Sequence, residues 1–313
     1  MNIIIIGGKG FIGSHIANTL KNDHNITIID GWTTLYPGFT SIHRGNKGLQ
    51  PVSELEKKHR IGAYKYRQSL INQIECIEKW TFNDISMSIF INPDLIINCG
   101  GLSEAILSQY LKDFTHSSTV ISIKNINKFF NCPIIHMSSS MVYGTWLGTI
   151  KENYRLKPVD WYGTCKVMAE KLLNIEKDII LRPMHVYGYG DGSFQITMNI
   201  ERQLEIHKSV NVEEADCIYI KDFINLIKII TNNPIAGIYN VSAGYLRNTH
   251  TLKNCIKKIL QVDIETNKKL GPTGKSRGKL NNEKIKNMFK WKLLYNTYEE
   301  SILDYLGDYE NLR

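Results

Sequence analysis

Short apolar runs alternate with longer amphipathic stretches over the first 183 residues. The first run, Asn2–Ile6, contains four consecutive isoleucines, a pattern typical of a strand buried on both faces of a parallel sheet. Apolar residues then recur at helical spacing over residues 11–21, and a second apolar run follows at Asn25–Ile29. The beginning of the chain therefore predicts a β-α-β unit.

The same alternation continues along the chain. It predicts further strands at residues 74–77, 94–98, 133–137 and 178–181, with helices at 113–130 and 162–175. Strands that alternate with helices form a doubly wound parallel sheet, and ligands bind beyond the carboxyl ends of its strands. We therefore expect an α/β fold of the Rossmann type over residues 1–183.

The pattern becomes less regular after Pro183. It predicts a short apolar strand at residues 217–220, a helix from about Asp222, a strand at 238–241 and two amphipathic helices within 281–306. The sequence has no internal repeat and no low-complexity linker. We expect residues 184–313 to form a small α/β substrate-binding subdomain, with some segments returning to the first domain.

Residues 31–69 exceed the spacing of a simple β-α-β arrangement. Glycine, proline and threonine residues are followed by basic residues and then by a charged stretch that predicts a helix at residues 53–60. We interpret this segment as an insertion after the second strand. It can serve as a flap over the site, as an oligomer contact or as an ordinary surface loop.

The first strand and helix are joined by a glycine-rich turn. Its residues fit two spacings, Gly8-x-Gly10-x-x-Gly13 and Gly7-x-x-Gly10-x-x-Gly13. Residues without side chains let the backbone turn sharply and let a pyrophosphate approach the N-terminus of the next helix, whose N–H groups favour anions. The second strand ends at Asp30, where an acid can bind ribose hydroxyls. The unit therefore predicts a nucleotide site.

Two more segments end predicted strands with small or rigid residues. Cys99-Gly100-Gly101 follow the strand at 94–98, and Pro183 follows the strand at 178–181. Ligands of a doubly wound sheet bind at this edge. The predicted cofactor contacts from these turns and from the start of the first helix are Gly7, Gly10, Phe11, Ile12, Gly13, Asp30, Cys99, Gly100, Gly101 and Pro183.

Ser139, Tyr162 and Lys166 are the candidate catalytic residues. Tyr162 and Lys166 are four positions apart and therefore share a face of the predicted helix. A nearby ammonium favours the phenolate, so we expect Lys166 to lower the pKa of Tyr162 and suit it to proton transfer. Ser139 follows the strand at 133–137 and can hydrogen-bond the same substrate oxygen. With a nicotinamide alongside, this set removes a proton from an alcohol while a hydride leaves its carbon.

Composition changes this picture little. The hydrophobic content is 42%, and the formal net charge of +8 comes from scattered basic residues without a basic, aromatic-interleaved face. A basic pocket for a small anion or a solvated basic surface accounts for the charge, and nucleic acid is not an expected partner. The six cysteines form no Cys-x-x-Cys pair, and no apolar stretch is long enough for a signal peptide core or a membrane span. We expect free thiols, no membrane association and a cytoplasmic location.

The motifs in their order resemble those of extended short-chain dehydrogenase/reductases of the NAD-dependent epimerase/dehydratase family, which act on nucleotide sugars. The matching segments are residues 7–13, Asp30, Asp84-Ile85, and residues 138–144, 162–166, 181–183, 186–188 and 237–241. The resemblance implies NAD as the cofactor, adenine contacts by Asp84 and Ile85, and ribose contact by Asp30. It also implies that Ser139, Tyr162 and Lys166 are catalytic, with Tyr162 and Lys166 in contact with the cofactor. An acid at position 30 favours NAD because it repels a 2′-phosphate.

The chain departs from the family at two positions beside the catalytic serine. Dehydratases of the family carry an acidic pair there, and its uronic-acid decarboxylases keep an acid, whereas this chain has Ser140 and Met141. Neither side chain can act as a carboxyl acid or base. The departure argues against both reactions, and Ser140 and Met141 are implied substrate contacts only.

The substrate half of the chain departs further. His185 stands where relatives usually have asparagine, and it can contact substrate, act as an acid or base, or fill the core. The arginine that relatives place before an Asp-Phe or Asp-Tyr has no counterpart in Ala215-Asp216-Cys217. Arg277 stands where relatives often have a second phosphate-binding arginine.

The resemblance implies a nucleotide-diphosphate-sugar epimerase that acts at C4 through a keto intermediate, in polysaccharide biosynthesis. A 4-keto-sugar reductase or a sugar dehydrogenase would use the same Ser139, Tyr162 and Lys166 set. A protein that only binds the redox cofactor is a third interpretation.

No metal is expected at the site. Relatives commonly pair the two helices predicted here at 113–130 and 162–175 into a four-helix bundle, so we expect a homodimer.

Overall fold

The computed structural model describes residues 1–31, 54–79, 81, 92–103, 105–191, 200, 204, 209–210, 214–262, 264–266 and 278–311. Its strands are β1 (Asn2–Ile6), β2 (Asn25–Ile29), β3 (Glu75–Ile77), β4 (Leu95–Asn98), β5 (Ile134–Met137), β6 (Thr149–Ile150), β7 (Ile179–Pro183), β8 (His185–Tyr187), β9 (Ser209–Val210), β10 (Ala215–Tyr219), β11 (Gly237–Val241), β12 (Leu246–Arg247), β13 (Glu265–Thr266) and β14 (Lys279–Leu280). Its α-helices are α1 (Phe11–Leu20), α2 (Glu54–Ile71), α3 (Ala105–Tyr110), α4 (Lys112–His116), α5 (Ser122–Phe129), α6 (Trp161–Glu170), α7 (Ile220–Asn232), α8 (Thr249–Leu260), α9 (Glu283–Phe289) and α10 (Tyr298–Asn311).

Within these residues the main sheet has seven strands, all parallel, in the order β11-β7-β5-β4-β1-β2-β3. Alternate isoleucines of β1 pack on opposite faces: Ile3 and Ile5 belong to one buried cluster, and Ile4 and Ile6 belong to the other. Both faces of the sheet are therefore covered, as a fully parallel sheet requires. The predicted doubly wound α/β fold is confirmed.

The order of the strands places the ligand crevice. From β1 the chain proceeds outward through β2 and β3 on one side, and from β4 through β5, β7 and β11 on the other. The direction therefore reverses between β1 and β4, and ligands of such sheets bind beyond the carboxyl ends at this reversal. The glycine-rich turn follows β1, and Cys99, Gly100 and Gly101 follow β4, so both predicted turns lie there.

A smaller sheet, in the order β12-β10-β8, is formed by the second part of the chain. β8 begins two residues after β7 ends, and it pairs in parallel with β10 so that His185 is opposite Cys217. β11 lies in the main sheet beside β7. The strand predicted at residues 217–220 is β10 and begins earlier, at Ala215. The chain after Pro183 thus contributes to both sheets.

Two predicted helices differ from those observed. The predicted helix at 113–130 is divided into α4, a π-helical turn at Ser117–Ile121 and α5. Apolar periodicity does not reveal this division. The predicted helix at 162–175 ends at Glu170. The Asp178 carboxylate accepts hydrogen bonds from the backbone N–H groups of Asn174 and Ile134, at 2.8 and 3.0 Å, which fixes a turn in place of further helix.

The insertion contains a longer helix than predicted. The sequence pattern predicts that this helix ends at residue 60, whereas α2 continues to Ile71. A glycine within a helix costs only about 1 kcal/mol relative to alanine, so Gly62 does not end it. Ala63 and Ile71 are buried, and the Tyr66 ring lies 5.9 Å from the ring of His15 on α1. Packing on α1 therefore extends α2.

The six cysteines are free thiols, as predicted, and four of them are buried. In the part of the chain that the structure describes, no helix combines the length and the apolar character needed to cross a bilayer.

Candidate active site

At two positions of the glycine-rich turn, Gly7 and Gly13, a side chain would collide with the backbone. Gly7 has a φ of +74°, and a Cβ atom on it would lie 2.8 Å from the backbone nitrogen of Gly100. A Cβ atom on Gly13 would overlap the carbonyl oxygen of Gly7. Gly10 is the N-cap of α1 and has no side chain to cover the N–H groups of the first turn. The turn therefore forms a backbone cradle at a helix N-terminus, which fits a pyrophosphate.

Asp30 lies beside this cradle. It follows β2, is 8% exposed, and its Oδ2 accepts a 2.9 Å hydrogen bond from the backbone N–H of Lys9. Phe11 and Ile12, the first residues of α1, are half-buried. An acid at this position fits a ribose diol, because a carboxylate can accept hydrogen bonds from both hydroxyls.

The turn after β4 closes the other side of the crevice. The backbone N–H of Cys99 donates to the carbonyl of Ile6, at 2.9 Å, and the Asn98 side chain accepts from the N–H of Gly100, at 3.0 Å. Gly101 has a φ of +111°, a backbone conformation that favours glycine. The two turns therefore contact each other directly where the strand order reverses.

Ser139, Tyr162 and Lys166 come together at the carboxyl end of β5. Ser139 caps the 3₁₀ turn Ser140–Tyr143, and its Oγ accepts a 3.2 Å hydrogen bond from the N–H of Met141. Its side chain also faces Tyr162 closely enough to act on the pKa of that hydroxyl. The Lys166 Nζ lies 5.7 Å from the centroid of the Tyr162 ring. The three candidate catalytic side chains thus form one buried group.

Local sequence explains why α6 approaches Ser139 so closely. The Asp160 carboxylate caps the helix by accepting a 2.7 Å hydrogen bond from the N–H of Gly163. A Cβ atom on Gly163 would lie 2.6 Å from the carbonyl oxygen of Met141. Glycine at this position therefore lets the first turn of α6 pack against the 3₁₀ turn.

Burial governs the protonation of the pair. It raises the pKa of Tyr162 to about 12, with Ser139 acting in the opposite direction. It lowers the pKa of Lys166 to about 8, and the Lys166 ammonium donates to the carbonyl of Met137, at 2.7 Å. The prediction that Lys166 lowers the pKa of Tyr162 is therefore wrong for this structure, because desolvation of the phenolate dominates.

A buried polar network underlies these residues, and sequence reasoning did not find it. The Arg182 guanidinium binds the Glu170 carboxylate through two nitrogens, at 3.0 and 2.6 Å, and also donates to the Tyr143 hydroxyl, at 2.8 Å. Ser138 donates to Glu170, and Tyr143 donates to the Asn240 side chain, at 2.7 Å. The network joins α6 to β5, β7 and β11. The feature of the sequence that could have indicated this network is the position of Glu170, four residues after Lys166 and therefore on the same helix face.

The predicted substrate contacts have different positions. Ser140 is buried and Met141 is half-buried in the 3₁₀ turn after Ser139, while His185 is half-buried on β8 of the smaller sheet. Pro183 ends β7 on the same side as the catalytic group. Asp84, Ile85 and Arg277 lie outside the described residues.

The reversal of strand order, the glycine cradle and a Ser-Tyr-Lys group at the same sheet edge define a dinucleotide-dependent protein of the short-chain dehydrogenase/reductase class. A family model of the NAD dependent epimerase/dehydratase family matches residues 3–242. The chain belongs to this family, and NAD is its cofactor.

Comparison with individual proteins agrees with this assignment. The chain is 24% identical over 268 residues to the uncharacterized UDP-glucose epimerase YtcB of Bacillus subtilis strain 168, covering 81% of this chain and 79% of that protein. It is 22% identical over 301 residues to UDP-arabinose 4-epimerase 1 of Arabidopsis thaliana, covering 84% and 68%. Its fold is similar to that of UDP-glucuronic acid 4-epimerase from Bacillus cereus in complex with NAD, with a TM-score of 0.77, 16% identity, and coverage of 100% of this chain and 99% of that chain.

Proposed function

We propose that the protein is an NAD-dependent nucleotide-sugar epimerase that inverts C4 of the sugar. The observation that carries the proposal is the convergence of Ser139, Tyr162 and Lys166 at the sheet edge that also holds the glycine cradle. The named activities of the relatives, which are UDP-sugar epimerases, support the sugar-nucleotide class of substrate.

The residues of the chain divide the work of this reaction. Bound NAD supplies a reversible hydride acceptor for C4. Tyr162 removes the proton of the C4 hydroxyl as the hydride leaves and returns it when the hydride comes back. Ser139, which faces Tyr162, binds the same sugar oxygen. Lys166, when protonated, places a positive charge beside the phenolate that Tyr162 becomes.

The assignment of the cofactor site follows from the same geometry. The cradle at Gly7, Gly10 and Gly13 takes the pyrophosphate, and Asp30 takes the adenosine ribose. Cys99, Gly100 and Gly101 then line the opposite wall of the crevice. This arrangement is supported by the exclusion of side chains at Gly7 and Gly13 and by the position of Asp30 next to the turn.

Ser140 and Met141 restrict the reaction to the carbon that carries the hydride. Epimerisation at C3 or C5 needs an acid and a base that move protons on and off carbon, and neither a thioether nor an unactivated hydroxyl provides them. Turnover in heavy water is therefore expected to place no deuterium on C3 or C5. Deuterium at either carbon that disappears in His185→Ala would show that His185 runs a second epimerisation.

The substrate test separates the competing reactions. The purified holoenzyme is incubated with UDP-glucose, UDP-arabinose and UDP-glucuronic acid, and the configuration at C4 is followed by NMR. An equilibrium mixture of C4 epimers without accumulation of reduced cofactor is expected for one or more of them. Stoichiometric reduction of added NAD would indicate a one-way sugar dehydrogenase, and oxidation of added NADH with a 4-keto-sugar nucleotide would indicate a reductase. A protein inert in both assays would indicate a cofactor-binding role alone.

The assembly and location belong to the same proposal. Apolar side chains remain partly exposed on the π-helical turn and on α6, including Ile121 and Met168. A homodimer that pairs these helices with those of a second copy would cover these apolar side chains.

The location is inferred from the cysteines. Six free thiols support a reducing compartment, the cytoplasm.

A further inference from the structure

Lys9 lies within the glycine-rich turn, yet its side chain is almost entirely buried. The side chain is 6% exposed, and its Nζ lies 2.6 Å from Oε1 of Glu78, which is 58% exposed. The backbone N–H of the same lysine donates to Asp30. The ammonium is thus held at the rim of the crevice by a carboxylate that faces solvent.

Strand pairing brings the three charges together. β2 and β3 are parallel and in register, with Ile29 opposite Ile77, so Asp30 and Glu78 follow directly at the ends of adjacent strands. The N–H of Asp30 donates to the carbonyl of Ile77, at 3.1 Å. Glu78 is therefore placed next to the carboxylate that the proposed function assigns to the cofactor ribose.

The ion pair shapes the protonation of the lysine. Burial alone would lower the pKa of Lys9, but the Glu78 hydrogen bond and the neighbouring negative charges outweigh it and raise the pKa. Lys9 is therefore charged at neutral pH. An unpaired ammonium at this position would attract a phosphate group on the ribose, whereas the ion pair neutralises it.

We propose that Glu78 is a cofactor-specificity residue, which holds the Lys9 ammonium so that the ribose pocket stays negative and excludes the 2′-phosphate of NADP. This inference rests on the placement of the ribose beside Asp30 in the proposed function. Lys9, Asp30 and Glu78 together carry a net charge of −1, and removal of the Glu78 charge makes this trio neutral and leaves the ammonium available to a phosphate. Arg67, whose Nε donates to the Lys9 carbonyl at 3.2 Å, adds a positive charge beside the turn in both forms.

The ion pair is suited to specificity more than to stability. A pair with one well-exposed partner contributes little to folding, because solvent screens it. Glu78→Gln should therefore leave the protein folded, so that a change in cofactor affinity can be measured directly.

The test measures the affinities of NAD and NADP by calorimetry on the full chain freed of bound cofactor. Glu78→Gln is expected to bind NADP about tenfold more tightly than the unmodified protein, because the buried Lys9 ammonium then pairs with the 2′-phosphate instead of with Glu78. Its NAD affinity should change far less. The gain should shrink as salt is raised, since the contact is electrostatic.

Two variants identify the source of the gain. Lys9→Met in the Glu78→Gln background is expected to abolish it, because the ammonium supplies the new contact. Glu75→Gln is the matched control: it lies on β3, three residues before Glu78, and its carboxylate accepts a hydrogen bond from Thr27 instead of Lys9. Its NAD and NADP affinities should equal those of the unmodified protein.

Asp30→Asn separates this inference from the proposed function. If Asp30→Asn weakens NAD binding but Glu78→Gln does not raise NADP affinity, the role of Glu78 is wrong and the ribose placement stands. If Asp30→Asn leaves NAD binding unchanged, the ribose lies elsewhere and the inference is overturned with that placement. A gain in NADP affinity that persists in the Lys9→Met, Glu78→Gln double variant would also overturn it.

Discussion

Tyr162 and Lys166 lie one helical turn apart, and burial moves both pKa values toward the neutral form of each side chain. The Tyr162 hydroxyl is consequently a poor acid in the protein alone, with a pKa of about 12. Ser139 acts in the opposite direction on the pKa of Tyr162, and the Lys166 ammonium, 5.7 Å from the ring centroid, is placed to stabilise the phenolate once it forms. Proton transfer at neutral pH therefore depends on all three residues, and removal of the hydroxyl should be the most informative change.

Tyr162→Phe is expected to reduce kcat by about 10²–10⁴-fold, the usual contribution of a general acid or base. NAD affinity should remain close to that of the unmodified protein, because the ring still fills its buried position. Steady-state kinetics and calorimetry measure the two quantities. Tyr110→Phe, at a tyrosine that is 48% exposed, is the control. A Tyr162→Phe enzyme with near-normal kcat would remove Tyr162 from the mechanism.

Lys166 should weaken folding at neutral pH. Its pKa is lowered from 10.5 to about 8 in the folded protein, so unfolding takes up a proton between these values. Stability from this group therefore rises as the pH increases from about 8 to 10.5, and the shift corresponds to about 3 kcal/mol lost below pH 8. Lys166 thus occupies a position where its charge destabilises the fold, which fits a functional role.

Lys166→Met tests this linkage. In the absence of NAD, the variant is expected to be more stable at pH 7 by up to about 3 kcal/mol in its free energy of unfolding, and the difference should narrow toward pH 10.5. Urea unfolding at several pH values measures it, with the exposed Lys171→Met as the control. A stability difference independent of pH would mean that Lys166 has the same pKa in the folded protein as in the unfolded chain, so that burial does not lower it.

At the scale of elements, the position of α6 decides the site. Its N-terminus is set by the Asp160 cap and by the close approach of Gly163 to Met141. Its C-terminus is fixed by the Glu170–Arg182 pair, which is buried at both ends. Because Tyr162 and Lys166 lie between these two anchors, loss of either anchor should disturb the catalytic group as well as stability.

Glu170→Gln is expected to lower the free energy of unfolding by about 3–5 kcal/mol, because it leaves the Arg182 guanidinium buried without a counter-charge. Adding Arg182→Met should recover part of this loss, since both charges are then absent. Denaturant unfolding of the single and double variants measures the coupling. Glu176→Gln, at an exposed glutamate, should change stability little. A mild effect of Glu170→Gln would show that solvent reaches Arg182 and that α6 is held mainly by its N-terminal contacts.

Sequence patterns predicted those features that depend on neighbours along the chain. The isoleucines of β1, the glycines after them and the four-residue spacing of Tyr162 and Lys166 are local signals, and each one lies where the pattern placed it. The Lys9–Glu78 pair and the Arg182–Tyr143 contact join residues 69 and 39 positions apart, so they exist only once the strands are ordered. The pKa of Tyr162 was misjudged for the same reason, because burial is a property of the fold.

At the scale of the whole molecule, the α4–α6 surface offers a test of assembly. Ile121, Met168 and Leu172 are apolar and only half-buried on these adjoining helices and the turn that follows α6. A stable dimer interface buries about 1,600 Å² in total, and a charge at its centre is costly because it loses its hydration without a partner. We expect the unmodified protein to sediment as a dimer at micromolar concentration and Met168→Glu to sediment as a monomer. Met288→Glu, at a 44% exposed methionine on α9, should remain dimeric. If the unmodified protein is monomeric, or if Met168→Glu remains a dimer, the two copies do not pair through α6, and the partly exposed apolar residues on this surface are not an interface.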